Sequence, residues 1–95
     1  MTSSTDASHN VWYVYMVKCA DDTLYTGIAT DVLRRLQEHN ESARGARYTR
    51  ARRPVTLVYQ EEVANRSEAL KREHQVRKMN RQAKQELLIR HPYQE

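Results

Sequence analysis

The chain has 95 residues, 39% of them hydrophobic, and its 16 Lys and Arg against 12 Asp and Glu give a formal net charge of +4. This length suits one domain with a modest core, and no apolar run is long enough to cross a bilayer. A single cysteine, Cys19, excludes an internal disulfide framework and a multi-cysteine zinc site. We therefore expect a basic cytoplasmic domain over residues 11–91, with a disordered tail at 1–10 and a short tail at 92–95.

The first predicted elements form a β-hairpin. Val11–Lys18 is rich in β-branched and aromatic residues, which is typical of a strand buried on both faces. Cys19–Thr23 contains two aspartates, which favour a turn, and Leu24–Ala29 is a second short strand.

The register of this hairpin decides where its tyrosines point, because successive residues of a strand face opposite sides of the sheet. A three-residue loop at residues 20–22 places Tyr15 opposite Gly27 and on the same face as Tyr25, with space above the glycine. A two-residue loop places the two tyrosines on opposite faces. The residues alone leave both registers open.

A helix is predicted from the N-cap Asp31 to about Asn40 or Glu41. On a helical wheel, Arg35 and His39 lie one turn apart at the rim of the apolar stripe. The stripe itself comprises Val32, Leu33, Leu36 and Asn40. Arg35 is therefore placed to reach a cleft beside the core, or to lay its stem over the core edge.

A loop that is dense in arginine and free of acids is predicted over residues 42–54. Its arginines are Arg44, Arg47, Arg50, Arg52 and Arg53. Guanidinium binds phosphate bidentately and stays charged, so the loop predicts contact with a nucleic-acid backbone, with Tyr48 as a further phosphate contact. A solvated surface that keeps the protein in solution is the alternative.

The remaining segments complete an α+β fold. They predict a third strand at Val55–Gln60, a helix from Asn65 to about Met79 or Asn80, and a last helix at Gln82–Arg90. The order is β-β-α-β-α-α, which predicts a small three-stranded antiparallel sheet flanked by helices.

One carboxylate falls inside the apolar stripe of the second long helix. Glu73 shares that stripe with Ala69 and Val76, whereas Glu68 lies on the opposite face and only caps the helix. A carboxylate in an apolar stripe is costly unless it is paired or bound to a metal. A structural ion pair and a divalent-metal site are both open for Glu73.

Several short segments together resemble the GIY-YIG endonuclease domain, in its small stand-alone bacterial form. The segments are Tyr13-Val14-Tyr15, Tyr25-Thr26-Gly27, the stretches 31–40 and 45–49, and Ala69–Glu73. The chain is similar to the nuclease modules of the bacterial excinuclease and of Slx-type nucleases. Each segment alone is weak, but their order and spacing from Trp12 to Ile89 are specific.

The resemblance implies a metal-dependent endonuclease that hydrolyses phosphodiester bonds in DNA. The sequence has no base-reading signature, so we expect the enzyme to be structure-directed or weakly sequence-specific. It implies that Tyr15 or Tyr25 activates or positions water, that Arg35 holds the phosphate and that His39 lies near the scissile phosphate. Glu73 would bind the catalytic cation, Mg²⁺ or Mn²⁺. Which of the tyrosines or His39 accepts the proton stays open.

Departures from the family pattern leave alternatives. Ile28 stands where some relatives carry Lys, so the missing charge would come from Arg47 or Lys18, and Thr26 replaces Ile. The main rival is a non-catalytic nucleic-acid-binding module on the same fold, with RNA not excluded. A third hypothesis is an interaction domain that uses Ala83, Leu87 and Leu88. In a domain this small, a homodimer or a partner protein would help to choose the substrate.

Overall fold

The computed structural model describes residues 11–91, so the tails predicted at 1–10 and 92–95 lie outside the described residues. Its elements are β1 (Trp12–Lys18), β2 (Leu24–Ala29), α1 (Val32–Glu41), α2 (Arg47–Arg50), β3 (Thr56–Val63), α3 (Arg66–Lys78) and α4 (Arg81–Arg90). The strands form one antiparallel sheet in the order β2-β1-β3, which confirms the predicted α+β fold. The arginine-rich segment differs from the prediction: residues 47–50 form a helical turn where a loop was expected.

The turn between β1 and β2 settles the register. The Cys19 N–H donates across the turn at 2.8 Å, which closes a three-residue loop. Asp22 in this loop has a φ of 67°, a left-handed conformation that Asp tolerates at the end of such loops. Tyr15 lies opposite Gly27 and packs on the same face as Tyr25, so the three-residue alternative is the correct one.

The central strand β1 is buried on both faces, as predicted, and a cluster of apolar side chains covers each face. Towards α1 the buried members are Tyr15, Val17, Cys19, Val32, Val55 and Leu57. Towards α3 and α4 they are Met16, Tyr59 and Val76, with Met79, Leu87 and Leu88 packed against them. Leu87 and Leu88 therefore help to close the core. No helix within residues 11–91 is long and apolar enough to span a membrane.

Strand β3 is longer than the sequence predicts. It begins at Thr56 and continues to Val63, because its pairing with β1 extends along the whole central strand, from Lys18 opposite Thr56 to Trp12 opposite Val63.

Helix α1 begins at its predicted cap but buries a different face. The Asp31 carboxylate accepts the Arg34 N–H at 3.1 Å. Leu33, expected in the core, is 63% exposed, whereas His39, expected at the rim, is fully buried. The reason is tertiary: the core side of the helix is turned towards Tyr15 and the α2 turn, which both hold the imidazole.

Candidate active site

The side chain of Tyr15 lies across the glycine of the neighbouring strand. Only 1% of Tyr15 is exposed. A Cβ atom on Gly27 would lie 2.5 Å from Tyr15 Oη and 2.7 Å from its Cζ, far inside van der Waals contact. Gly27 therefore provides the space that the Tyr15 ring occupies.

A buried imidazole with partners on both ring nitrogens lies behind Tyr15. His39 is 0% exposed, and its Nε2 lies 2.7 Å from Tyr15 Oη. Its Nδ1 lies 2.9 Å from Thr49 Oγ1 and accepts the Ala46 N–H at 3.2 Å. Because these groups come from β1, α1 and the α2 turn, the site exists only in the folded chain.

The α2 turn reaches His39 because a glycine lets the chain pass close to α1. A Cβ atom on Gly45 would lie 2.6 Å from the Glu38 carbonyl oxygen and 2.8 Å from His39 Cα. No larger side chain fits in that gap, so Gly45 sets the distance between α1 and the turn.

Burial governs the protonation of this pair. Loss of solvent, together with the charge of Arg35, lowers the pKa of His39 from 6.5 to about 4, so its ring is neutral at neutral pH. Burial also raises the pKa of Tyr15, and the Arg35 guanidinium opposes part of that rise. Arg35 Nη1 itself donates to Glu38 Oε1 at 2.8 Å and to the Arg44 carbonyl at 2.9 Å.

An aromatic stack leads from His39 towards the surface. Tyr25 meets the His39 ring edge-on with centroids 5.3 Å apart, and Tyr48 stacks on Tyr25 at 6.0 Å. The Arg52 guanidinium lies 3.8 Å from the centre of the Tyr48 ring, and its Nε donates to Asp21 at 3.0 Å. The hairpin turn thus holds the α2 segment against the sheet.

Tyr25 also lines a cavity that contains Glu73. The cavity has a volume of about 340 Å³, and its walls are Leu24, Tyr25, Thr26, Tyr48, Glu73, Arg77 and Lys84. The Glu73 side chain is 14% exposed, and Oε2 lies 3.6 Å from Arg77 Nη1. Glu73 thus has both an arginine partner and access to open space.

The same cavity holds a hydroxyl with unused hydrogen-bonding capacity. Thr26 Oγ1 is buried and has no hydrogen-bond partner among the described residues. Buried polar groups normally have a partner, so this oxygen is an unmet hydrogen-bonding group in a residue that lines the cavity. Lys84 and Arg77 add positive charge to the cavity, whereas Lys18 pairs with Asp22 at 3.2 Å and lines a different cavity.

The arginines of the predicted loop divide into two groups. Arg53 Nε donates to the His39 carbonyl at 2.6 Å, and its Nη2 donates to the carbonyls of Glu38 and Ser42. Arg52 is held by Asp21 and Tyr48 as described above. The exposed members are Arg44, Arg47 and Arg50. Arg53 and Arg52 therefore have intramolecular roles in the fold.

The structure brings most of the predicted site residues together around Tyr25. Tyr15, Arg35 and His39 lie on one side as a contact network, and Glu73 shares the cavity that Tyr25 lines. Sequence reasoning missed Thr49, Arg77 and Lys84. Thr49 ends the segment 45–49 that matches the family pattern, but the two cations on α3 and α4 carry no local signal that distinguishes them from other surface cations.

Comparison with known proteins gives matches to one family model and to several related chains. The family model of the GIY-YIG catalytic domain matches residues 11–86. A UPF0213 protein of Desulfotalea psychrophila is 57% identical, covering 81% of this chain and 70% of that protein, and one of Syntrophus aciditrophicus is 50% identical, covering 84% and 92%. The solution NMR structure of a UPF0213 protein from Bacillus halodurans matches with a TM-score of 0.53 and 40% identity, covering 82% of each chain.

Proposed function

Because this chain belongs to the GIY-YIG family, a nuclease family, as a small UPF0213 protein, we propose that it is a metal-dependent endonuclease that cleaves DNA. The observation that carries the proposal is the position of Tyr25. Its ring contacts His39 on one side and lines the Glu73 cavity on the other. Tyr25, Glu73, Arg77 and Lys84 therefore line one space large enough for a phosphate group and water.

The proposed chemistry is hydrolysis of a phosphodiester bond. Tyr25 lines the cavity and orients the attacking water there, whereas Tyr15 is buried behind it and fixes the geometry. Arg35, whose side chain is 30% exposed, lines a second cavity with Ile28 and Glu38, and from there it would stabilise the negative charge that grows on the phosphate oxygens. Lys84 and Arg77 supply the positive charge that the Ile28 position lacks.

The cavity fits a hydrated divalent cation. Glu73 offers one carboxylate and Thr26 an unpartnered hydroxyl, and no cluster of three or more His, Cys, Asp or Glu forms within residues 11–91. One carboxylate with several waters suits Mg²⁺, which dehydrates reluctantly, and Mn²⁺ is the alternative. When bound, such a cation would neutralise phosphate charge and acidify a bound water.

The exposed arginines and Tyr48 are proposed to hold the DNA backbone. Arg44, Arg47 and Arg50 lie on or beside the α2 turn, next to the cavity that Tyr48 lines. Contacts of this kind are independent of base sequence, so choice of substrate would rest on nucleic-acid structure, a second copy of the chain or a partner protein. We expect the protein to act in the cytoplasm.

A nucleic-acid-binding module without catalysis is the second candidate. The observation that favours it is the contact between Glu73 and Arg77, which could make the carboxylate a structural ion pair. Such a module would bind nucleic acid in a salt-dependent manner but would not need Glu73.

The deciding experiment is cleavage of labelled DNA and RNA single strands, duplexes, flaps and four-way junctions, each with Mg²⁺, Mn²⁺ or EDTA. Wild type is compared with Glu73→Gln and with the matched control Glu68→Gln, an exposed carboxylate on the same helix. Metal-dependent cleavage that only Glu73→Gln abolishes supports the proposal. Salt-sensitive binding without cleavage by wild type would establish the binding module instead.

A further inference from the structure

Hydrogen bonds at the buried ring of His39 restrict which nitrogen carries its proton. A backbone amide can only donate, and the Ala46 N–H is directed at Nδ1 at 3.2 Å. An Nδ1 that accepts this bond cannot itself carry a proton. The neutral ring then bears its proton on Nε2, 2.7 Å from Tyr15 Oη.

The hydroxyl of Thr49 is compatible with this tautomer. Thr49 Oγ1 lies 2.9 Å from His39 Nδ1 and 2.9 Å from the Ala46 carbonyl oxygen, and its single proton serves one of them. The Ala46 carbonyl already accepts the Arg50 N–H at 3.0 Å. Thr49 is therefore free to donate to Nδ1 without leaving that carbonyl unsatisfied.

The opposite tautomer creates a conflict between donors. With the proton on Nδ1, the ring would donate to Thr49 Oγ1, which would donate to the Ala46 carbonyl, and Tyr15 would donate to Nε2. The Ala46 N–H would then face the Nδ1–H at 3.2 Å, two donors directed at each other in a buried site. The backbone N–H is fixed and cannot turn away from this repulsion. With the proton on Nε2 the unmade bond is that of the Tyr15 hydroxyl, which has no second acceptor among the described residues but can rotate away from the ring.

We propose that the Ala46 amide keeps the proton of His39 on Nε2, with Thr49 as a second, positioning donor to Nδ1, so that His39 donates to Tyr15 Oη. The low pKa of the buried ring agrees with a neutral imidazole at neutral pH. His39 is then a hydrogen-bond donor and not the acceptor of the Tyr15 proton. Any effect of this hydrogen bond on catalysis rests on the proposed nuclease function.

This arrangement has a consequence for Tyr15. With Nε2–H directed at Oη, the Tyr15 proton points away from His39. The Tyr15 oxygen then accepts from His39 and lies beside the Arg35 guanidinium, which opposes the rise that burial causes in the pKa of Tyr15. The α2 turn therefore influences the site through two side chains, first His39 and then Tyr15.

The first test measures the tautomer directly in the wild-type protein. Nitrogen NMR of histidine-labelled protein separates protonated from unprotonated ring nitrogens, and a His39→Gln variant assigns the signals. We expect a protonated Nε2 and an unprotonated, hydrogen-bonded Nδ1 at neutral pH. A protonated Nδ1 would overturn the proposal, whether or not the protein cleaves DNA.

The second test uses Thr49 itself. Thr49→Ser keeps the hydroxyl, and we expect it to keep the wild-type ring shifts and kcat. Thr49→Val removes one of the two donors to Nδ1 and also the acceptor that a protonated Nδ1 would need, so we expect the tautomer to be kept and the Nδ1 shift to move towards that of a more weakly hydrogen-bonded nitrogen. We expect kcat to fall roughly tenfold at unchanged KM, the scale for loss of one hydrogen bond.

These readouts separate the two proposals. A folded Thr49→Val protein with wild-type shifts and kcat would remove Thr49 from the positioning role. If Thr49→Val does not fold, the wild-type tautomer still decides the question. If wild type cleaves no nucleic acid, the proposed function fails, but the tautomer measurement stands.

Discussion

The Glu73 carboxylate lies 3.6 Å from the guanidinium of Arg77, one turn further along α3, and both side chains line the cavity that contains Tyr25. Arg77 is 62% exposed, so this pair gains little from its Coulomb energy and is readily exchanged for another cation. The contact therefore gives the carboxylate a weakly held partner that a ligand in the cavity can replace.

Replacement of Glu73 tests whether the pair is structural. We expect Glu73→Gln to abolish cleavage while the free energy of unfolding changes by less than about 1 kcal/mol, because the arginine of the pair is exposed and the glutamine keeps the shape of the side chain. Urea denaturation and cleavage assays on the same preparation check this. A loss of several kcal/mol would mark Glu73 as part of the structural framework.

Lys84 is predicted to supply positive charge to the cavity. We expect Lys84→Gln to reduce kcat about tenfold, because the variant loses a cation near the proposed position of the phosphate. The site contains one carboxylate. Lys78→Gln, which removes an exposed lysine of α3, is the matched control for net charge. Equal effects of the two variants would show that only overall charge matters.

Arg53 and Arg50 should separate stability from DNA binding. Arg53 donates to three carbonyls at the end of α1, so Arg53→Gln should lower the free energy of unfolding by about 2 kcal/mol. Arg50 is exposed, so Arg50→Gln should leave stability unchanged and reduce the salt dependence of DNA binding by about one unit of slope. The opposite pattern would contradict this division of the arginines.

Gly27 should tolerate no side chain while Tyr15 is present. We expect Gly27→Ala to destabilise the protein by about 1–3 kcal/mol, because its Cβ would overlap the Tyr15 ring. Removal of the nearest atom in the double variant with Tyr15→Phe should recover part of that loss. Denaturation of the single and double variants measures the coupling, and strictly additive losses would argue against the contact.

His39 should make the fold sensitive to mild acid. The folded state holds the pKa of His39 near 4 against 6.5 when unfolded, so the unfolded chain binds the extra proton first. The free energy of unfolding is highest above pH 6.5 and falls as the pH is lowered towards 4. The loss over that window is about 3 kcal/mol. His39→Gln should flatten this dependence, whereas the exposed His74→Gln should retain it, and urea titrations at several pH values measure both.

Much of the fold was predictable because its signals are local. Asp31 and Asn65 mark helix starts by bonding to amides three residues away, and both caps are present. The β-branched and aromatic residues of β1 and the aspartates that follow it identified the hairpin, but a single extra loop residue decided which face carries Tyr15. That choice depended on the left-handed conformation of Asp22, which the sequence permits without requiring.

The sequence by itself determined the elements, their order and the residue types that could do chemistry, since propensity, capping and periodicity act over a few residues. Only the tertiary structure decided which of them meet. His39 is buried because Tyr15 and Thr49, distant along the chain, bind its ring, and Arg53 is occupied by the end of α1. Lys84 joins Glu73 because α4 packs beside α3 against the sheet. Contacts of this kind depend on how helices lie on the sheet, and no local pattern encodes them.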